Sequence, residues 1–204
     1  MGIGVLFWDV DTQHDFMDED GKLAVPGAAA IVPNLRRLSA FAVERGIPIV
    51  ASADAHTPRD PEFDEFGQHC VAGTPGQQKI EATTAPAAEV ADPERLQEQI
   101  DALRAGRIHQ LVIEKQQLDV FTVPLAERIL EALEPGQIIL YGVATEYCVL
   151  MATRALAERG YAVTVVEDAV KGIAEEEARR ALEQMGAAGA RLAPTTRVLA
   201  DLTE

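Results

Sequence analysis

The chain has 204 residues, 48% hydrophobic, 25% charged and 5% aromatic, which excludes disordered, collagenous and coiled-coil classes. Thirty-three acidic against 18 basic side chains give a formal charge of −15 at pH 7. A surface so acidic repels phosphate backbones and anionic lipid, so the expected partners are a small molecule and further copies of the chain, a homo-oligomer, with no nucleic acid and no membrane.

In chain order, continuous apolar runs predict strands at Val5–Val10, Pro48–Ser52, Gln110–Ile113, Ile138–Gly142 and Ala162–Val166, with a weaker one at Arg191–Ala193. The first run, Ile3–Trp8, lacks a basic leader and is too short for a signal peptide or a membrane span. Ile31, Leu35, Leu38 and Phe41 recur at helical spacing and stop at Gly46, a C-cap residue. Further helical patterns cover Glu94–Leu103, Leu125 to Leu133, Val149 to Leu156, and a charged face from Glu175 to Arg180. Between them, 54–79 is rich in turn residues yet carries two of the four histidines, and 83–93, Ala-rich and acidic, reads as a mobile connection. This rhythm is that of βα units around a mostly parallel sheet. No repeat or composition break divides it, so one domain over residues 1–204 is expected. Two cysteines, Cys70 and Cys148, are too few for a disulfide framework and suit a reducing, cytoplasmic setting.

Cys148 falls between a strand and a helix expected to begin near Tyr147. There the helix dipole and free amides would lower its pKa from about 8.5 toward neutrality. Taken alone, it also fits a small buried residue opening a core helix. Asp11 and Lys115 follow the ends of two other strands, and parallel strand ends converge on one rim. A carboxylate beside a thiol can take its proton, and an ammonium beside both keeps that carboxylate ionised. Asp54-Ala55-His56 places two potential ligands on one extended segment; His69 arrives from the same loop and Glu62 offers a fourth. Carboxylate with imidazoles suits zinc, iron or manganese better than calcium or magnesium. The same histidines also fit a merely solvated acidic loop. His14 and His109 have no partner pattern that marks them as ligands.

These segments share a resemblance. Val10-Asp11-Thr12-Gln13-His14-Asp15-Phe16 is similar to the opening motif of the isochorismatase-like cysteine hydrolases. Asp54-Ala55-His56 with His69-Cys70-Val71-Ala72-Gly73-Thr74 resembles the metal loop of the nicotinamidase branch. Gly142–Val149 resembles the nucleophile motif, and Val166–Ala169 the segment after it. The resemblance implies a three-layer α/β/α fold and a triad of Cys148, Asp11 and Lys115. It implies a cis peptide at Val143–Ala144, with the Ala144 and Cys148 amides forming an oxyanion hole. It implies an amidase that converts nicotinamide and water to nicotinate and ammonia through a thioester on Cys148. One divalent metal, zinc first with iron or manganese open, would orient the pyridine ring from Asp54, His56, His69 and Glu62. Phe16, Phe66, Val143 and Ala144 would border the substrate. The alternative within the family is another small amide, carbamoyl or vinyl-ether substrate. Departures from the pattern are His14, Ala55, Glu146 and Gln116–Phe121, the last beside the expected pocket.

Two rival readings meet obstacles. Asp9-Val10-Asp11-Thr12 resembles the opening of haloacid-dehalogenase phosphatases, but Gln13 stands where those enzymes need Thr or Val and their later acidic motif is missing. A binding protein on a hydrolase scaffold would be expected to have lost part of the Asp11, Lys115, Cys148 set.

Overall fold

A computed structural model of the protein describes residues 2–203. Its sheet consists of β1 (Val5–Val10), β2 (Ile49–Asp54), β3 (Ala88–Val90), β4 (Gln110–Lys115), β5 (Gln137–Val143), β6 (Val163–Lys171) and β7 (Arg191–Ala193). The strand order is β3-β4-β2-β1-β5-β6-β7, with every pairing parallel. The helices are α1 (His14–Met17), α2 (Val32–Arg45), α3 (Phe63–Phe66), α4 (Leu96–Arg104), α5 (Pro124–Leu133), α6 (Leu150–Glu158), α7 (Glu175–Ala187) and α8 (Thr195–Asp201).

Successive strand side chains point to opposite faces, and the two faces are roofed separately. Leu6, Trp8 and Val10 of β1 pack with Ile100 of α4, Ile129 of α5, Leu156 of α6 and Met185 of α7. Phe7, between them, joins Leu35 and Leu38 of α2 and Val198 of α8 on the other side. The result is the three-layer α/β/α arrangement with a parallel sheet. β1 lies at its centre, with β2 on one side and β5 on the other. The chain therefore reverses its direction of winding beside β1, where open α/β sheets form a crevice at the strand ends.

Several elements extend past their apolar runs. β2 continues through Ala53 to Asp54 and β4 through Glu114 to Lys115, so both polar residues are the last of their strands rather than loop residues. β6 runs to Lys171, and β3 forms within the stretch expected to be a mobile connection. The helix expected from Tyr147 instead begins regularly at Leu150, after an irregular turn over Thr145–Val149 in which Tyr147 is non-helical. Apolar runs mark buried strand centres, whereas strand ends at a site carry polar groups that satisfy one another. Among the described residues, no helix is long and apolar enough to cross a membrane.

A buried polar knot braces β1 from behind. Asp9 and Lys79 pair at 2.7 Å, and Thr12 Oγ1 donates to Asp9 Oδ1 at 2.9 Å while lying 2.6 Å from Thr83 Oγ1. Burial raises the Asp9 carboxyl above the usual aspartate range, with Lys79 pulling against it. Lys79→Met strands that carboxylate and is expected to cost about 3–5 kcal/mol at pH 7. A group with a raised folded pKa stabilises when protonated and loses that contribution as pH rises. The deficit, measured by urea melts, should therefore shrink on going from pH 7 toward pH 5.

Candidate active site

The carboxyl ends of β1, β2, β4 and β5 meet in one crevice. Asp11 follows β1 with a left-handed backbone (φ 49°), which turns its side chain back over the strand ends. Ser52 Oγ donates to Asp11 Oδ1 at 2.6 Å, and Lys115 Nζ lies 2.9 Å from Asp11 Oδ2. The same ammonium lies 3.6 Å from Cys148 Sγ and pairs directly with Asp54. Asp54 and Lys115 are register partners on β2 and β4, so the sheet itself sets their approach. Gln13 completes the frame: its Oε1 accepts from the Asp54 amide at 2.7 Å and its Nε2 donates to the Asp54 carbonyl at 2.8 Å. The contacts of Ser52, the Lys115–Asp54 link and the role of Gln13 each depend on register that no local sequence pattern reveals.

β5 delivers the last member. Its Gly142 has φ +127° and lies so close to β1 that a Cβ there would overlap the Val10 carbonyl. The Val143–Ala144 peptide is cis. The irregular turn beyond it then points Cys148, 5% exposed, at Lys115.

Burial dominates the electrostatics. It raises Asp11 above the ordinary carboxylate range, against Lys115 and reinforced by Asp54. Burial raises Asp54 too, but Lys115 and His56 together hold it below that range. Burial works to lower Lys115, yet Asp11, Asp54 and Cys148 hold it well above the usual lysine value. Cys148 does not follow the helix-dipole expectation. Burial pushes its thiol well up; Lys115 opposes this, while Asp11 and Asp54 add to it. The resting group is therefore a thiol, and a thiolate forms only when a base removes its proton. Cys70 is also raised, by burial first, and its amide donates to Asp15 Oδ2 at 2.7 Å inside the core. It has the surroundings of an inert structural cysteine.

Beside the thiol, Asp54, His56 and His69 present ligand atoms all within 4.8 Å of one another. His56 Nε2 and His69 Nε2 lie 3.7 and 3.9 Å from Asp54 Oδ2. His69 Nδ1 donates to the Gly67 carbonyl at 2.8 Å, which leaves the Nε2 lone pair free to face Asp54. Burial holds His69 below the ordinary histidine range. His56 is fully buried with neither ring nitrogen hydrogen-bonded, although Asp60 Oδ2 stands 3.1 Å from Nδ1. Burial works to lower its pKa, but Asp54 and Asp60 outweigh that and raise it. An orphaned, buried imidazole between carboxylates has the surroundings that attract positive charge, and the donor set fits one divalent cation. Glu62 is not part of the mutually close trio; it stands on the wall of the adjoining cavity.

That cavity holds about 30 Å³ of free space and is lined by Cys148. Phe16, Phe66, Val143 and Ala144 all line it, as does Leu118 of the segment expected beside the pocket, joined by Leu23 and Ile173, which sequence patterns had not singled out. Phe16 packs 5.5 Å from the His69 ring and Phe66 5.6 Å from Tyr147. Lys115, the ammonium that faces the Cys148 thiol, is committed to two carboxylates.

A model of the Isochorismatase domain matches residues 6–197. The nicotinamidase of Escherichia coli (strain K12) is 30% identical over 207 residues, covering 90% of this chain and 91% of that protein. The pyrazinamidase of Pyrococcus horikoshii, solved in complex with zinc, is 28% identical, with a TM-score of 0.77 over 93% of this chain and 98% of that one. The N-carbamoylsarcosine amidase from Thermoplasma acidophilum, 24% identical, shares the fold with a TM-score of 0.75 over 95% and 97% of the two chains.

Proposed function

The chain belongs to the isochorismatase family, and from that premise we propose that it is a cysteine-dependent amidohydrolase that converts nicotinamide to nicotinate and ammonia. The observation that carries this reading is the Asp54, His56 and His69 cluster beside Cys148 at the end of an apolar cavity. A flat, neutral heteroaromatic amide matches both parts. The carboxylates Asp54 and Glu62 line the cavity, while Lys115 is already paired with Asp11 and Asp54. Carbamoyl amino acids and isochorismate-type vinyl ethers carry carboxylates, for which the mostly apolar cavity wall offers no free basic side chain.

The chain's own groups account for the steps. Asp11 takes the proton of Cys148, and Sγ attacks the amide carbonyl carbon. The amides of Ala144 and Cys148 receive the developing oxyanion. The C–N bond then breaks as Asp11 returns its proton to the leaving nitrogen, which departs as ammonia and leaves a thioester. Asp11 next deprotonates a water that attacks the thioester; the C–S bond breaks, nicotinic acid leaves, and the thiolate regains a proton. Lys115 holds Asp11 ionised and steadies the thiolate as it forms. A divalent metal held by Asp54, His56 and His69, with Glu62 beside them, supplies a Lewis-acidic point for the ring nitrogen when bound. Zinc fits this donor set best. Phe16 and Phe66 flank the ring.

The test is ammonia release from nicotinamide and from benzamide, which lacks the ring nitrogen. Turnover of nicotinamide, with benzamide poorer by at least about a hundredfold, is expected. No turnover by metal-replete protein whose Cys148 still alkylates would move the assignment to another amide.

Metal content gives a separate prediction. Purified protein should hold about one equivalent of divalent metal per chain by elemental analysis. His56→Ala and His69→Ala should each lose it, and both variants should lose the thermal stabilisation that added zinc gives the wild type.

A further inference from the structure

We propose that Glu146 is a positioning residue whose carboxylate ties the nucleophile turn to the start of α7 and so holds Ile173 as the outer wall of the substrate cavity. The inference rests on reading that cavity as the substrate site.

Glu146 sits two residues before Cys148, yet its side chain leaves the turn and crosses to a segment 27 residues further on. Its Oε1 accepts from the Ile173 amide at 2.8 Å and from the Ala174 amide at 2.9 Å. Ala174 is the N-cap of α7 and has no side chain that could cap the helix. The carboxylate of Glu146 therefore satisfies the N-cap amide from a distance, as the Glu of a capping box does locally, and sets negative charge at the helix start. Its second oxygen is buried without a hydrogen-bond partner and packs over Gly172. A Cβ at 172 would overlap that oxygen and come within 2.6 Å of the Ala178 Cβ, so glycine at this position is what admits the carboxylate.

Ile173 follows directly. It is 38% exposed, unusual for a large aliphatic side chain, and it lines the same cavity as Cys148 and Phe66. The hydrogen bond that the Ile173 amide donates to Glu146 fixes the backbone that carries it. One carboxylate thus links the reacting turn to the rim that the substrate passes, and the rim contact is apolar. Loss of Glu146 should weaken substrate binding more than it slows the chemical step.

Amide hydrogen exchange measured by NMR tests the tie directly. Glu146→Ala should speed exchange at Ile173 and Ala174 on the order of tenfold, while Glu146→Gln, which keeps an acceptor oxygen, restores most of the protection. In steady-state kinetics with nicotinamide, Glu146→Ala and Ile173→Ala should each raise KM about tenfold with kcat within about threefold of wild type. The double variant should be no worse than Ile173→Ala alone. Unchanged exchange at 173 and 174, additive KM effects, or a fall in kcat at constant KM would each overturn the proposal. The wall is also read without turnover, from alkylation of Cys148 by iodoacetamide and by the bulkier N-phenylmaleimide. Both variants should shift the rate ratio toward the bulky reagent, and an unchanged ratio counts against the proposal. If wild type fails to hydrolyse nicotinamide while the exchange and alkylation results hold, the substrate reading fails and the tie survives.

Discussion

Replacing Cys148 with alanine is expected to lower ammonia release from nicotinamide by roughly 10⁴–10⁶-fold, the scale seen when a covalent nucleophile is removed from an otherwise intact site. Of the two cysteines, only Cys148 can reach a substrate. It ends the cavity and lies 3.6 Å from Lys115, whereas Cys70 is sealed in the core beside Asp15. The change removes one atom from a 5%-exposed side chain, so circular dichroism and the melting curve should stay close to wild type. Cys148→Ser should also be inactive, because an alcohol holds its proton too firmly for a carboxylate to take it in the ground state. Mass spectrometry after a rapid quench with excess nicotinamide should show an acyl adduct in wild type and none in either variant. Retention of more than about a hundredth of the activity in Cys148→Ala would rule out the covalent route.

The sheet was largely legible because β1 and β5 are buried on both faces and so read as unbroken apolar runs such as Val5–Trp8 and Ile138–Tyr141. The strand ends were not. Asp54 and Lys115 look like loop residues by composition, yet they end strands because their polar atoms meet across the sheet. The C-terminal α8 escaped notice since only Thr195 and Val198 of its seven residues are buried, too few to make a stripe. β3 was missed for a similar reason: it is a three-residue edge strand with an exposed Val90.

The site divides along the same line. Residue types in short motifs pointed to Asp11, Cys148, Asp54, His56 and His69, because their chemistry is carried by one side chain each. Their supports were invisible: Gln13 clasps the Asp54 backbone and Asp60 stands behind His56, contacts spanning register or loop geometry. The thiol's environment was misjudged for a physical reason. The dipole argument counts only the turn that carries Cys148, while the structure sets that turn against two buried carboxylates and removes water from all of them. The positive end of a helix is worth up to about 2 kcal/mol, and burial of a charge beside like charges exceeds that.

That environment makes Asp11→Asn the second decisive variant. It keeps the shape of the side chain and an oxygen for Ser52 Oγ, and it leaves Lys115 paired with Asp54. What it removes is the group able to take the thiol's proton and hand it to the leaving nitrogen, so kcat/KM should fall by about 10²–10⁴-fold. The pH profile separates this from simple distortion. In wild type, Asp11 must be ionised to act as base; burial raises its pKa, so activity is lost as pH falls through a limb above the ordinary aspartate range. In Asp11→Asn that limb should disappear from whatever activity remains. The same change takes a negative charge from beside Cys148, one of the influences that raises its thiol. Burial still keeps that thiol protonated, and Asp11 is the group that would deprotonate it, so alkylation of Cys148 by iodoacetamide at pH 7 should slow together with hydrolysis. Alkylation and hydrolysis that fall together are the signature of a base that makes the nucleophile, and undiminished alkylation in Asp11→Asn would refute that role.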